Sequence, residues 1–306
     1  MLKYTNPEIP EGINVSDVHP LKEFAVLVSG ALVAVVLITT LLAYSVDWLA
    51  EYIPFDYEIS IAESFERETE ERNQVDDYLQ NLADDIVKDM DMPEGANITV
   101  HYVNQDVVNA MATLGGHVFI YRGLLEKLPH ENALVMLLGH EIGHVKLRHP
   151  IKALGKGVVI SLVFSALLGQ SSDAASTALI NTSTLTLLSF SREQEEDADL
   201  EGLSATQHHF KHVKGTDDLF NILLNEQDEQ GVYVPQIMSS HPDTGHRITL
   251  INQFSKNQQW LLNGSLKPLP KKIVNKLADD AALYKKQIEE GDDAQGGQAK
   301  RANPTK

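Results

Sequence analysis

The residues His140, Glu141 and His144 form the pattern H-E-x-x-H. On an α-helix, positions four apart lie on the same face, so both imidazoles can reach one metal ion. Glu141 follows the first histidine and can reach a water molecule held by that metal, where it can accept a proton. The alternative is a surface helix with a solvated histidine pair, so the pattern needs support from the rest of the chain.

A catalytic zinc site usually has three protein ligands and an open position, and two histidines leave it one ligand short. His149 lies at the wrong spacing for an extended H-E-x-x-H-x-x-G-x-x-H pattern, so the third ligand must come from another segment. The acidic run Ser191–Asp199 contains Glu195 and Asp199 four positions apart, which places them on one helical face. One can bind zinc while the other accepts a hydrogen bond from a ligand histidine. Taken alone, however, this run is better explained as a solvated helix start.

The elements around these residues are predicted from hydrophobic periodicity. Pro129 and His130 begin a helix whose apolar positions surround the H-E-x-x-H pattern. Helical spacing also predicts a helix within Glu63–Met90. Alternating side chains predict a strand at Asn97–Val103. A second strand is predicted at His117–Tyr121, which the chain enters through Gly115 and Gly116.

The stretch Phe24–Tyr44 contains no charged residue. As a helix it would be roughly 31 Å long, enough to cross the hydrocarbon core of a bilayer. Trp48 and Tyr52 follow it, where interfacial aromatic residues belong. The stretch begins too far from the N-terminus and is too long for a cleaved signal peptide. Residues 24–46 are therefore predicted to form a single membrane anchor in contact with lipid.

The charges that flank this anchor predict its orientation. Lys3 and Lys22 precede it, whereas the next positive residue after it is Arg67. Positive residues favour the cytoplasmic side. The sequence therefore predicts a single-pass protein of the bacterial inner membrane with a periplasmic catalytic domain.

Four segments are predicted along the chain: a polar tail at 1–23, the anchor at 24–46, a zinc metallopeptidase domain at 60–286 and a disordered tail at 287–306. Within the domain, Val158–Leu168 is too short to span a bilayer upright. A second apolar stretch, 174–190, contains many Ser and Thr residues. These two stretches are either core or interfacial helices, which we favour, or a hairpin that dips into the membrane.

Composition excludes several classes of function. The 306-residue chain has no cysteine, which excludes disulfides, cysteine nucleophiles and iron–sulfur clusters. Its formal net charge is −18 with no basic stripe, so we expect no nucleic-acid partner. No pattern predicts the oligomeric state.

Four ordered segments resemble one family of membrane proteases. The H-E-x-x-H pattern is followed by S-R-x-x-E-x-x-A-D at Ser191–Asp199. An N-A-x-A…G-G…G-L-L segment lies at Asn109–Leu125, and S-H-P-x-x-x-x-R-I lies at Ser240–Ile248. Together they cover about Leu79 to Ile251. The chain thus resembles metallopeptidase family forty-eight, the gluzincins that include HtpX, the CAAX prenyl endopeptidases and BepA.

This resemblance implies a zinc site with one Zn²⁺ per chain, held by His140, His144 and Glu195. It implies that Asp199 supports a ligand histidine from behind. The edge strand formed by Asn109, Ala110, Met111 and Ala112 would bind a protein or peptide substrate through backbone hydrogen bonds.

The resemblance also gives His241 and Arg247 a catalytic role, in which they stabilise the oxyanion of the tetrahedral intermediate. The alternative for His241 is that it caps the zinc and holds the enzyme latent. The implied fold is α+β: one N-terminal transmembrane helix, then a mostly helical zincin-type domain with a small edge sheet.

The implied function is hydrolysis of internal peptide bonds in misfolded membrane or envelope proteins, with Glu141 as general base. The first alternative is a latent protease that acts mainly as a quality-control chaperone. The second is a structural membrane adaptor with coincidental motifs.

Overall fold

The chain folds into ten α-helices, one short 3-10 helix (Leu114–Gly116) and three strands within the residues that the computed structural model describes, which are 20–64, 72–168, 190–230, 241 and 244–301. The predicted α+β fold, mostly helical with a small sheet and one N-terminal apolar helix, is confirmed. The helices are α1 (Pro20–Ala50), α2 (Phe55–Glu63), α3 (Gln74–Val87), α4 (Arg122–Leu125), α5 (Glu131–Lys146), α6 (His149–Leu168), α7 (Arg192–Phe210), α8 (Thr216–Gln230), α9 (Thr244–Asn257) and α10 (Lys271–Arg301), and the strands are β1 (Thr99–Val103), β2 (Ala110–Ala112) and β3 (His117–Tyr121).

Helix α5, which carries the H-E-x-x-H pattern, is the central helix of the domain. Every residue from Glu131 to Val145 is buried. The helix begins after His130, whose Nδ1 accepts a hydrogen bond from the Ala133 backbone N–H at 3.1 Å. This contact satisfies one of the free N–H groups at the helix start. The predicted start of this helix at Pro129 and His130 is confirmed.

The sheet has the strand order β1-β3-β2, with β1 parallel and β2 antiparallel to β3. Its inner face is formed by fully buried side chains such as Val100, Val118 and Ile120. Helix α3 packs against β1, and α5 packs against β2. Among the described residues no strand pairs with the outer edge of β2, so its backbone groups are available to an added strand.

Small residues let α5 and α7 pack closely along their length. A Cβ atom at Gly139 would lie 2.8 Å from the Cβ of Ala205. A Cβ at Gly202 would lie 2.7 Å from the carbonyl oxygen of Met136. Both distances are too short for real atoms, so larger side chains would force the helices apart. This close approach brings the acidic residues of α7 against the histidines of α5.

The apolar helix α1 stands apart from the core. Its segment Leu21–Ala50 is long and apolar enough to cross a membrane, and none of its apolar window is buried. A core helix of a soluble domain would bury this surface. The helix contains the predicted anchor, 24–46, and extends beyond it at both ends.

A buried ion pair connects the segment after α1 to the end of α5. Arg148 adopts a left-handed backbone conformation, with φ 62°, between α5 and α6. Its Nε donates to Glu58 Oε1 of α2 at 2.5 Å, and its Nη2 donates to the Ile53 carbonyl at 2.9 Å. Burial raises the pKa of Glu58, although the Arg148 guanidinium opposes that effect. Removal of one partner from a buried pair typically costs about 3–5 kcal/mol, so this contact fixes the α5–α6 junction firmly.

Helix α6 packs along the C-terminal part of α1 and outside the hydrophobic core. Lys156 Nζ lies 2.7 Å from Asp47 Oδ1, and Gly155 lies against the side chain of Val46. Beyond this contact α6 exposes large apolar side chains, including Leu162 at 62%. This exposure disagrees with the core interpretation of 158–168 and favours an interfacial or membrane location. The second stretch, 174–190, lies outside the described residues except for Phe190.

The helix predicted within Glu63–Met90 is shorter than expected. Helix α2 ends at Glu63, and α3 begins at Gln74. A single helix cannot run through Asn73, because its side chain caps the start of α3. Asn73 Oδ1 accepts a hydrogen bond from the Val75 N–H at 2.7 Å. The residues between, 65–71, lie outside the described residues.

The C-terminal tail also differs from its prediction. Composition predicts disorder for 287–306, but α10 continues to Arg301. Up to Arg301 the segment is poor in apolar residues and contains three Gly, but it also contains three Gln, two Glu and two Ala, which are good helix formers.

Candidate metal centre

His140 and His144 lie on the same face of α5, in the interior of the domain. Their Nε2 atoms are 3.0 Å apart, and their rings meet at 84°. Their exposed fractions are 3% and 0%, so neither ring is solvated. The alternative of a solvated surface pair therefore disagrees with the structure.

Helix α7 brings a carboxylate to this histidine pair. Ser191 starts the helix through a capping box with Gln194. One turn later, Glu195 places Oε1 3.5 Å from His144 Nε2 and Oε2 3.6 Å from His140 Nε2. The acidic run is therefore a buried part of the site, because Glu195 is only 1% exposed.

His241 adds a fourth possible ligand, from the segment before α9. Its Nδ1 lies 2.9 Å from Glu195 Oε1 and 3.3 Å from His140 Nε2. Among the described residues, His140, His144, Glu195 and His241 form a buried group whose ligand atoms all lie within 4.8 Å of one another.

This donor set fits a zinc ion. Tetrahedral zinc with N and O ligands at roughly 2.0–2.1 Å requires ligand atoms roughly 3.3 Å apart. The separations that link these donors, from 2.9 to 3.6 Å, bracket that value. Imidazole nitrogens with one carboxylate are typical zinc ligands. Without a metal ion, the two Nε2 atoms of His140 and His144, 3.0 Å apart, could share a contact only if one of them carried a hydrogen.

Glu141 lies beside this group with a carboxylate that makes no hydrogen bond. Both of its oxygens are buried and have no hydrogen-bond partner. Its Oε1 is 3.8 Å from His241 Nε2, which also has no hydrogen-bond partner. A buried carboxylate without partners is costly in a structural role. The arrangement is typical of a group that handles a proton of a bound water or substrate.

Asp199 and Arg247 support the ligands from behind. Asp199 Oδ1 is 2.9 Å from His140 Nδ1, the geometry that fixes a ligand tautomer. Arg247 donates from Nε and Nη2 to the two Asp199 oxygens, each at 2.6 Å. Its Nη1 is 2.9 Å from Glu195 Oε2. The guanidinium thus lies between two carboxylates, but its Nη1 makes no hydrogen bond, so the predicted role of Arg247 as an oxyanion donor stays a prediction.

These charges compensate one another. Burial alone would raise the pKa of Glu195, but the neighbouring His241, His140 and Arg247 outweigh burial and lower it. Burial likewise opposes ionisation of Asp199, yet its hydrogen bond and attraction to Arg247 hold its pKa below the usual value. Both carboxylates are therefore ionised at neutral pH, as a cation site requires.

Two residues missed by the sequence reasoning enclose His144. His149 Nδ1 lies 2.8 Å from His144 Nδ1, and the Phe190 ring stacks on His144 with centroids 4.0 Å apart. Burial, followed by nearby Lys152, lowers the pKa of His149 to about 3. Burial also lowers the pKa of His144, so both rings are neutral near pH 7.

The predicted substrate strand lies next to the central helix. Ala110 and Ala112 point into the core, whereas Met111 is partly exposed. Asn109 precedes the strand, and its carbonyl accepts a hydrogen bond from the Tyr121 N–H at 3.2 Å. The position at the sheet edge matches the prediction, and substrate binding there stays a prediction.

Comparison with known proteins identifies relatives of this site. A family model described as Peptidase family M48 matches residues 73–255, more than half of the chain. The chain is 26% identical over 150 residues to the beta-barrel assembly-enhancing protease of Escherichia coli, covering 46% of this chain and 31% of that protein. It is 34% identical over 112 residues to the mitochondrial metalloendopeptidase OMA1 of Arabidopsis thaliana, covering 36% of this chain and 22% of the relative. The human mitochondrial metalloendopeptidase OMA1 is 23% identical over 169 residues, covering 52% and 32%. The matched region spans about a third or less of these relatives.

Proposed function

The chain belongs to peptidase family M48, as the sequence motifs predicted, and we propose that it is a membrane-anchored, zinc-dependent endopeptidase. The observation that carries the proposal is the buried group His140, His144 and Glu195 beside the Glu141 carboxylate, which has no hydrogen-bond partner. A structural adaptor would have no reason to bury these groups together, since they are costly without a cation.

The residues of the chain divide the work of hydrolysis. A zinc ion held by His140, His144 and Glu195 would supply Lewis acidity for the scissile carbonyl and would lower the pKa of water. Glu141 accepts the proton of the attacking water and delivers it to the leaving amine. Asp199 and Arg247 hold His140 and Glu195 in place throughout.

The outer edge of β2 is the proposed binding surface for the substrate. An extended peptide can pair with the backbone of 109–112 as an added strand. Such pairing needs no free terminus, so it favours cleavage of internal peptide bonds.

Membrane or envelope proteins are the proposed substrate class. Helix α6 begins directly after the metal-binding helix and packs on the apolar helix α1, which supports a site close to the membrane surface. The buried pair between Arg148 and Glu58 further ties the site to the segment that follows α1. One relative is named a beta-barrel assembly-enhancing protease, and this name agrees with a protein substrate.

Unfolded casein tests the activity directly. The full chain, purified in detergent with zinc, should cleave casein at internal sites. A chelator should abolish cleavage, and added zinc should restore it, because the buried group holds the metal on which hydrolysis depends. Fragments separated by gel electrophoresis and mass spectrometry measure the result. A zinc-loaded protein that leaves casein intact would contradict the proposal.

One observation favours the second candidate, a latent protease that acts mainly as a chaperone. His241 Nδ1 lies 2.9 Å from Glu195 Oε1 and belongs to the same group of four possible ligands. As a fourth ligand it would fill the coordination position that a catalytic zinc keeps open for water or substrate. One assay distinguishes the two functions: an endopeptidase should cut casein, whereas a chaperone should suppress the aggregation of casein without cutting it.

The catalytic domain is proposed to lie on the periplasmic side. His144 and Glu195 meet in one site, so the chain between them must cross the membrane an even number of times. Zero crossings and a hairpin satisfy this rule, and a single crossing violates it. The side follows from Lys3 and Lys22 before the anchor, with no positive residue after it until Arg67.

Alkaline phosphatase fusions in a bacterial host test this topology. Fusions after Ile61 and after Gln258 should both show phosphatase activity, because alkaline phosphatase folds to its active form only outside the cytoplasm. Activity at one position alone would contradict the even number of crossings. Inactivity at both, with the fusions present by immunoblot, would place the catalytic domain in the cytoplasm.

A further inference from the structure

His149 contacts the back of a metal-binding ring. It is the first residue of α6, and its Nδ1 lies 2.8 Å from Nδ1 of His144. The two rings are inclined at 64°, and His149 is 3% exposed. Water is thus excluded as the usual partner of either Nδ1.

The hydrogen bond between these two atoms dictates the tautomers of both rings. A neutral imidazole carries one N–H. His144 directs Nε2 towards His140 Nε2 at 3.0 Å and Glu195 Oε1 at 3.5 Å, so that nitrogen must be free of hydrogen to bind a metal. The hydrogen of His144 is then on Nδ1, and it can only be donated to Nδ1 of His149. His149 must accept there and carry its own hydrogen on Nε2.

The other ligand histidine shows the same arrangement with a different acceptor. His140 Nδ1 faces the Asp199 carboxylate at 2.9 Å. Outer partners of this kind fix the ring orientation and the tautomer of metal-bound histidines. His149 occupies the equivalent place for His144, with an imidazole where the first ligand has a carboxylate.

We propose that His149 is a positioning residue, which holds His144 in its metal-binding tautomer through the unprotonated Nδ1. The proposal rests on the proposed function, because it assumes a metal at this site. It also explains the backbone at Arg148, whose left-handed conformation starts α6 so that the next ring turns back onto α5. The pair between Arg148 and Glu58 secures this turn, so the membrane-proximal helix α2 helps to place a metal ligand.

Leu and Asn at position 149 separate packing from hydrogen bonding. The two side chains have nearly the same shape, and the Asn oxygen is the same number of bonds from Cα as Nδ1 of histidine. In the full chain in detergent, we expect His149→Leu to weaken zinc affinity by about 10–100-fold. His149→Asn should retain most of the affinity because it preserves the acceptor. Competition with a chromophoric chelator measures both values.

A matched control is His212→Leu, which removes another buried histidine, 7% exposed, outside the metal group. Its zinc affinity should equal that of the unmodified protein. Wild-type affinity in His149→Leu, or equal weakening in the Leu and Asn variants, would overturn the proposal.

If His149→Leu fails to fold, nitrogen-15 NMR of the histidine rings in the unmodified zinc-loaded protein determines the tautomer of His149 directly. The ring of His149 should carry its hydrogen on Nε2, and a hydrogen on Nδ1 would overturn the proposal. Both readouts are independent of proteolysis. A protein that binds zinc with the expected dependence on residue 149 but cuts no casein would contradict the proposed function alone.

Discussion

Replacement of Glu141 by Gln is expected to slow casein hydrolysis by about 10²–10⁴-fold, the usual contribution of a general base. Gln keeps the size of the side chain but cannot accept a proton at neutral pH. Both carboxylate oxygens are buried without hydrogen-bond partners, so the substitution breaks no hydrogen bond of the described fold. Zinc content should stay at the wild-type level because no ligand of the group is removed. Initial rates and metal analysis on the same preparation measure both effects.

The matched control is Glu193→Gln, which removes the same charge from an exposed position in the first turn of α7. It should leave both the rate and the zinc content unchanged. Substantial residual turnover in Glu141→Gln would show that a different group accepts the proton. Equal losses in the two variants would show that net charge matters and not the general base.

The parts of the site that the sequence predicts are those set by local periodicity. His140 and His144 share a face because they are four apart on one helix, and Glu195 and Asp199 do so for the same reason. The predicted strand at His117–Tyr121 agrees with the structure to the residue, and burial alternates along it. Family M48 membership, predicted from four ordered motifs, is confirmed.

The contacts that the sequence does not reveal depend on breaks between elements. His149 is five positions from His144, a spacing at which helical rings do not face each other. It reaches that ring only because the helix breaks at Arg148, where φ is 62°. No local sequence pattern predicts a left-handed backbone conformation at an arginine.

Long-range charge pairing limits the prediction in the same way. The sequence does not reveal which carboxylates surround Arg247. The structure shows that Arg247 donates to Asp199 and lies beside Glu195, while its Nη1 makes no hydrogen bond. Its role as an oxyanion donor therefore stays a prediction.

Replacement of Glu195 by Ala is expected to remove most of the bound zinc and, with it, all measurable cleavage. The substitution deletes the one carboxylate among the four grouped ligands. It also leaves the guanidinium of Arg247 beside the histidines without one of its two counter-charges, which repels a cation. The loss of affinity should exceed the roughly 10–100-fold cost of removing an outer partner. Chelator competition and metal analysis after dialysis measure it, and thermal unfolding verifies that the variant folds.

His241→Ala is the matched variant, because it deletes the other ligand candidate that lies outside α5. Three protein ligands suffice for a catalytic zinc, so this variant should retain the metal if Glu195 is the third ligand. Its casein cleavage then separates the two roles of His241: a capping ligand predicts an equal or higher rate, whereas an oxyanion donor predicts a lower rate at full zinc content. Wild-type zinc in Glu195→Ala together with zinc loss in His241→Ala would reverse the assignment. In that case three histidines would hold the metal, and Glu195 would serve as the carboxylate that orients His241.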